Sequence, residues 1–172
     1  MRIFVTGASG WIGTAVVNEL LSTNHEVVGL ARSAVSAQKL ESAGATAFHG
    51  NLQEPDALAR AANECDGVIH LAFQHDLAWS GNFATAAATD RRVVEALGAV
   101  LAGSDRPFVH ASGLLGMMND RLATETDGLV PSASSRANPS SARGHGASRT
   151  LAARARRSFL GDSLSPNGSR KR

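Results

Sequence analysis

The sequence predicts an α/β fold, in which a doubly wound parallel sheet of about five strands is followed by a disordered basic tail. Short apolar runs rich in Val and Ile alternate with segments of helical periodicity over the first two thirds of the chain. A glycine-rich turn joins the first apolar run to the first helical segment. No Ile occurs after residue 69 and no Val after residue 130. We therefore expect no sixth or seventh strand after the five predicted ones.

The first three elements are a strand, a helix and a strand. Residues 3–6 form a short β-branched apolar run, as a buried parallel strand requires. Residues 11–21 carry apolar side chains every four positions from Ile12 to Leu20, which places them on one face of a helix. Residues 26–32 return to a β-branched apolar run and predict the second strand.

The middle of the chain repeats this alternation with clear boundary residues. Residues 36–43 predict a short helix that Gly44 is placed to end. Residues 46–48 predict the third strand. Pro55 begins the next helix, residues 55–64, because the first turn of a helix does not need the N–H that proline lacks.

The remaining predicted elements complete the sheet. Residues 67–73 predict the fourth strand, residues 74–82 a loop, residues 83–101 a long helix and residues 107–112 the fifth strand. Strands that alternate with helices at this spacing form βαβ units, and right-handed crossovers favour the doubly wound arrangement.

The turn after the first strand has the chemistry of a phosphate-binding loop. Gly7 lets the chain turn sharply, Gly10 lets the backbone approach a pyrophosphate, and Gly13 lets the helix pack closely on the sheet. The helix N-terminus then offers free N–H groups and the positive end of its dipole. Since the turn follows a strand and opens a helix, we interpret it as a Rossmann-type site for NAD(P).

The G-x-x-G-x-x-G spacing resembles that of the short-chain dehydrogenase/reductase superfamily, in particular its extended or atypical NAD-dependent epimerase/dehydratase members. Gly50-Asn51-Leu52 resembles the family's Gly-Asp-Leu, and His70-Leu71-Ala72-Phe73 resembles its cofactor-lining fourth strand. Ala111-Ser112-Gly113 stands where the family carries its active-site Ser or Thr, and Thr124-Glu125 resembles the Thr-Glu beyond it. The resemblance covers residues 1–130 and implies a C-terminally truncated or frameshifted member.

The turn and the resemblance together assign the site residues. The resemblance implies that Ser112 is the catalytic Ser of the family, and we assign no metal ligands. The expected cofactor-binding residues are Gly7, Ser9, Gly10, Trp11, Ile12, Gly13, Arg32, Ser33, Asn51, Leu52, Leu71, Ala72 and Phe73.

Arg32-Ser33 ends the second strand, where the adenosine ribose is bound in this fold. An Arg there suits the 2′-phosphate of NADP, so we predict NADP as the preferred cofactor, with NAD as the other. In the alternative interpretation Arg32 lies over the adenine or points to solvent. Asn51 replaces the family's acid, and we expect a weakened contact with adenine.

The family's catalytic Tyr-x-x-x-Lys pair is absent, because the sequence has no tyrosine and its lysines are Lys39 and Lys171. His75 and Asp76 either face a substrate cleft or are surface loop residues. We expect His70 and His110 to be core or cofactor-adjacent rather than catalytic.

Two functions from different classes follow. The first is an NAD(P)-dependent oxidoreductase or epimerase/dehydratase that transfers hydride at a carbonyl or alcohol carbon of a small organic substrate. The alternative is a catalytically silent NAD(P)-binding module, or an inactive fragment that lacks the Tyr-x-x-x-Lys pair and the substrate lobe.

Composition divides the chain into residues 1–130, the predicted NAD(P)-binding domain, and residues 131–172, a low-complexity basic tail rich in Ser, Ala, Arg and Gly, and the charge balance changes sign at about residue 136. The first 135 residues hold 8 Lys and Arg against 14 Asp and Glu, whereas the last 37 hold 9 Lys and Arg against one acid, Asp162. Three interpretations of the tail stay open: a disordered segment, the translation of a shifted reading frame, or a basic helix around Leu151 and Phe159 that binds nucleic acid or an anionic membrane.

Composition narrows the cellular setting. A single cysteine, Cys65, forms no internal disulfide, and we expect it to be structural. No apolar run approaches the length of a membrane span, so the expected location is the cytoplasm and the expected partner a small-molecule substrate. Nucleic acid is not an expected partner of the predicted domain, and the sequence does not indicate the oligomeric state.

Overall fold

A computed structural model describes residues 1–111 of the chain. These residues form a five-stranded sheet in the order β3-β2-β1-β4-β5, with every neighbouring pair parallel. The strands are β1 Arg2–Thr6, β2 Glu26–Ala31, β3 Thr46–His49, β4 Gly67–His70 and β5 Phe108–His110. The helices are α1 Trp11–Ser22, α2 Ala34–Ser42, α3 Pro55–Asn63, α4 His75–Leu77 and α5 Phe83–Leu101, with a π-helical turn at Ala78–Asn82. The predicted doubly wound α/β fold is confirmed.

The three central strands, β1, β2 and β4, are buried on both faces of the sheet, which explains why they are mostly apolar in sequence. Phe4 points to one face, where it joins a core with Leu58 of α3 and Leu97 of α5. Ile3 and Val5 point to the other face and pack in the core that contains Val17 of α1 and Leu40 of α2. The strand order reverses between β1 and β4, and ligands of open α/β sheets bind at such a switch point.

Two elements differ from the sequence prediction in ways that bear on the cleft. The fourth strand ends at His70 rather than at residue 73, because β1 turns away after Thr6 and leaves no ladder partner there. Residues 74–82, predicted to be a loop, are instead the short helix α4 and the π-helical turn. Gly81, at φ +89°, interrupts the helical backbone before α5 begins.

The second helix begins earlier than predicted because Ser33 caps it. The Ser33 hydroxyl accepts a hydrogen bond from the Ser36 N–H at 3.2 Å, and the Ser36 hydroxyl accepts one from the Ser33 N–H at 3.0 Å. This reciprocal pair satisfies two backbone donors that the helix itself leaves free.

Cys65 is buried in the core beside α3, as expected of a structural thiol. Burial raises the pKa of the Cys65 thiol, an effect that the nearby Arg2 opposes and Asp66 reinforces. We therefore expect a thiol reagent to modify the native chain at pH 8 at least about tenfold more slowly than the urea-unfolded chain. The measurement is the rate of iodoacetamide labelling, followed by mass spectrometry. Equal rates in the native and unfolded chains contradict a protected thiol.

Within residues 1–111, no helix is both long enough and apolar enough to cross a membrane.

Candidate functional site

A cleft of about 660 Å³ opens at the carboxyl ends of the central strands. It lies at the point where the strand order reverses, between the glycine turn after β1 and the segment that follows β4. Its lining residues are Gly7, Ser9, Gly10, Trp11, Ile12, Gly13, Leu30, Arg32, Leu52, Gln53, Leu71, Ala72, Phe73, Gln74, His75 and Trp79. The structure thus brings together in one cleft all the residues predicted to bind the cofactor except Ser33 and Asn51.

The glycine turn is built so tightly that two of its positions have no room for a side chain. Gly7 adopts φ +68°, and a Cβ there would lie 2.8 Å from the Ala72 backbone nitrogen. A Cβ on Gly13 would lie 2.0 Å from the Gly7 carbonyl oxygen. The turn is closed by a hydrogen bond from the Gly10 N–H to that same oxygen at 3.0 Å. Helix α1 therefore starts close against the end of β1.

The N-terminus of α1 faces this cleft without a side-chain cap. Gly10 is the N-cap residue and supplies no side-chain acceptor. Trp11, Ile12 and Gly13, which form the first turn of α1, all line the cleft. Uncapped N–H groups at the positive end of a helix dipole are suited to bind an anion such as a pyrophosphate.

Two cations lie near the glycine turn, and the sequence prediction assigned only one of them. Arg32 follows β2 directly, is exposed and lines the cleft. Lys39 reaches across from α2, and its Nζ donates a hydrogen bond to the Ser9 carbonyl oxygen at 2.9 Å. Lys39 is 30 residues from Ser9 in sequence, so spacing alone gave no sign of this contact.

Ser33 and Asn51 are occupied by local contacts. Ser33 caps α2 as described above. The Asn51 side-chain oxygen accepts from the Gln53 N–H at 2.8 Å, and its amide group donates to Glu54 Oε2 at 3.0 Å. Leu52 is buried and lines the cleft. Gln53 is exposed and also lines the cleft, although the sequence prediction did not include it.

Below the cleft, three buried polar side chains connect β1, β4 and α5. Thr6 Oγ1 lies 2.6 Å from His70 Nδ1, and His70 Nε2 lies 3.1 Å from Asp90 Oδ1. The Thr6 hydroxyl also accepts from the N–H groups of Leu71 at 3.2 Å and Ala72 at 3.3 Å. Thr6 and His70 are fully buried, and Asp90 is 9% exposed.

One assignment of protons satisfies every contact of this Thr6–His70–Asp90 network. A hydroxyl has one proton, and the Thr6 oxygen already accepts two N–H groups, so its proton is donated to His70 Nδ1. The proton of a neutral His70 is then on Nε2, from which it is donated to the Asp90 carboxylate. The network fixes the backbone of residues 71–72, which line the cleft. His70 is thus a core residue below the cleft, which is one of the two positions that the sequence predicted for it.

The segment after β4 adds a row of aromatic rings to the cleft. The Phe73 ring lies 5.1 Å from that of His75, and the His75 ring lies 5.2 Å from that of Trp79. All three residues line the cleft, as does Gln74 between them. Asp76 is exposed and is not among the lining residues. Of the two alternatives weighed for His75 and Asp76, the geometry favours the cleft for His75 only.

The predicted catalytic residue, Ser112, lies outside the described residues, and so do the Thr124-Glu125 motif and the basic tail. The described chain ends at Ala111, whose N–H donates to the His70 carbonyl oxygen at 3.0 Å. The chain therefore leaves the fifth strand beside the carboxyl end of β4.

Comparison with known proteins identifies the fold and the family. A chain of UDP-glucose-4-epimerase from Stenotrophomonas maltophila with bound NAD superposes with a TM-score of 0.64 at 19% sequence identity, covering 93% of this chain and 50% of that one. An uncharacterized protein of Schizosaccharomyces pombe is 47% identical over 126 residues, covering 73% of this chain and 42% of the relative.

A second uncharacterized relative, from Saccharomyces cerevisiae, is 44% identical over 131 residues, covering 75% of this chain and 43% of the relative. The chain therefore spans less than half the length of these two relatives. The model of the NAD dependent epimerase/dehydratase family matches residues 3–132. The predicted resemblance is confirmed: the chain belongs to the NAD-dependent epimerase/dehydratase family of oxidoreductases, which implies a nicotinamide cofactor.

Proposed function

We propose that the cleft binds NADP(H) and serves hydride transfer at a carbonyl or alcohol carbon of a small organic substrate. The observation that carries this proposal is the combination, in one cleft, of an uncapped helix N-terminus, a tight turn in which Gly7 and Gly13 leave no room for side chains, and Arg32. The nicotinamide cofactor supplies or accepts the hydride when bound. The residues of this chain bind and orient it.

The described residues fit a dinucleotide in shape and in charge. A Cβ on Gly7 or on Gly13 would collide with backbone atoms, so these two glycines allow the turn to hold the start of α1 close against β1 beside the cleft. The first turn of α1 offers uncapped N–H groups to a pyrophosphate. Leu30, Leu52 and Ala72 provide apolar lining between these polar groups. Apolar walls with a few placed polar groups are typical of cofactor sites.

The charges around the cleft support the phosphorylated form of the cofactor. Among the described lining residues Arg32 is the only Arg or Lys, and none is an Asp or Glu that would accept from a ribose 2′-hydroxyl. Arg32 presents a planar fork to a 2′-phosphate, and Lys39, held on the Ser9 carbonyl, adds a second positive charge nearby.

Replacing Arg32 by Ala is expected to lower the affinity for NADPH by about tenfold or more and to leave NADH affinity within about twofold. The reason is that only NADPH carries the 2′-phosphate. The measurement is a calorimetric or fluorescence titration with both cofactors. Arg60→Ala, an exposed arginine of α3 that does not line the cleft, is the control. Equal losses for NADPH and NADH in Arg32→Ala would place Arg32 elsewhere on the cofactor.

A non-catalytic NAD(P)-binding module is the second candidate, and one observation favours it: the sequence contains no tyrosine. Titration with NADPH, paired with a screen for carbonyl reduction by the full 172-residue chain, separates the two functions. Turnover supports the oxidoreductase, and binding without turnover supports the module. We further propose that residues 1–130 are the cofactor-binding domain and that residues 131–172 are a separate tail.

A further inference from the structure

We propose that the row of rings formed by Phe73, His75 and Trp79 is a binding surface for an uncharged, planar aromatic carbonyl compound. This inference rests on the proposed function and names the substrate class that the same cleft would accept. It comes from the part of the cleft that the predicted cofactor residues leave unassigned, namely Gln74, His75 and Trp79.

The three rings form a continuous aromatic wall, in which His75 is the polar member. The Phe73 and His75 rings meet edge to face at 66°, and the His75 and Trp79 rings are tilted by 33°. Phe83 extends the row inward, with its ring 6.1 Å from that of Phe73. The wall starts at Phe73, a predicted cofactor residue, so a ligand on it lies next to the proposed cofactor site. A substrate that exchanges hydride with a cofactor must lie there.

Trp79 is the outermost ring of this wall, and most of its surface meets water. The residue is 81% exposed although it lines the cleft. When a planar ligand covers a large apolar ring that was exposed to water beside a cleft, the burial of apolar surface favours binding. The helical course of α4 and the π-helical turn places Trp79 beside His75, because the two residues are four positions apart, the spacing at which helical side chains are neighbours.

The polar groups near the wall suit an uncharged ligand. Gln74 lines the cleft, and its side-chain oxygen is buried with no hydrogen-bond partner among the described residues. A carbonyl oxygen of this kind matches a neutral donor, such as a hydroxyl substituent, rather than a phosphate. The single Arg of the described lining, Arg32, lies at the end of β2 and is assigned to the cofactor. A substrate with its own diphosphate would find no second Arg or Lys among these lining residues.

The test compares two ketones of similar size on the full chain saturated with NADP+. Acetophenone is planar and aromatic, whereas cyclohexyl methyl ketone has a puckered aliphatic ring. Ligand-observed NMR titration gives the two dissociation constants. We expect acetophenone to bind about threefold to tenfold more tightly. Trp79→Leu should abolish this difference, and Trp79→Phe should restore most of it. Val35→Ala, an exposed apolar residue of α2 outside the cleft lining, should change neither constant.

The outcomes separate this inference from the proposed function, because NADPH binding is measured on each protein separately, before NADP+ is added. If NADPH binds and the two ketones bind equally well, or if Trp79→Leu retains the preference, the aromatic surface is wrong and the cofactor site stands. If NADPH does not bind, the proposed function is wrong and this inference is wrong with it. Because Trp79 is exposed, its replacement is not expected to unfold the chain.

Discussion

Replacing Gly13 by Ala is expected to abolish cofactor binding and to lower the free energy of unfolding by about 2 kcal/mol. The new Cβ would lie 2.0 Å from the Gly7 carbonyl oxygen, and the nearest atoms of Ala8 are backbone atoms at 2.8 Å. No flexible side chain is available to move, so α1 must shift away from β1. That shift moves the N–H groups of the helix N-terminus away from the position proposed for the cofactor's phosphates. Urea denaturation and NADPH titration measure the two effects.

Gly98 provides a matched control for this substitution. It lies inside α5, and no atom would lie within 4 Å of a Cβ added there. Gly98→Ala should therefore raise the free energy of unfolding by about 0.5–1 kcal/mol, because alanine favours the helix more than glycine does. NADPH affinity should not change. If Gly13→Ala binds NADPH as the wild type does, the close packing of the glycine turn is not what forms the site.

Replacing Asp90 by Ala is expected to lower the free energy of unfolding by about 2 kcal/mol. The change removes the acceptor of the buried His70 Nε2–H, and no other polar side chain among the described residues is recorded in contact with that atom. An unpaired donor inside the protein loses its hydration without compensation. NADPH affinity should fall as well, because the network positions the cleft backbone at Leu71 and Ala72. Urea denaturation and NADPH titration provide the two readouts.

Asp90→Asn is the matched variant, because its side-chain oxygen still accepts from Nε2–H. We expect it to lose less than about 1 kcal/mol. Nitrogen chemical shifts of His70 provide a direct check, since the proposed order requires Nδ1 to be unprotonated. Equal destabilisation by Asp90→Ala and Asp90→Asn, or a proton on Nδ1 of the neutral ring, contradicts the assigned order.

Local sequence patterns predicted the centre of the sheet because β1, β2 and β4 are buried on both faces. Ile3, Phe4 and Val5 point alternately into two cores, so the run contains no polar position. The glycine turn was predictable for a related reason, since Gly7 and Gly13 occupy positions where the backbone excludes any side chain. Such constraints act on residue types at fixed spacing, and they are therefore visible in a single sequence.

Contacts between distant parts of the chain were not predictable in this way. Lys39 reaches Ser9 only because α2 packs beside the glycine turn. The apolar run of residues 67–73 continues past the end of β4, because its last three residues line the cleft instead of pairing in the sheet. The helical course of residues 74–82 was missed because Gly81 and the polar residues around it are typical of a loop. This helical segment places His75 and Trp79 in the lining of the cleft.

Amide NMR of the full chain titrated with NADPH tests most directly whether this cleft binds a nicotinamide dinucleotide. Binding in this cleft predicts saturable shifts at the glycine turn, Arg32, Leu52, Gln53 and residues 71–73, with Arg60 and Gly98 unmoved. It also predicts weaker binding of NADH at the same amides. The absence of binding, or shifts centred on α3 and α5 instead of the cleft, would contradict it.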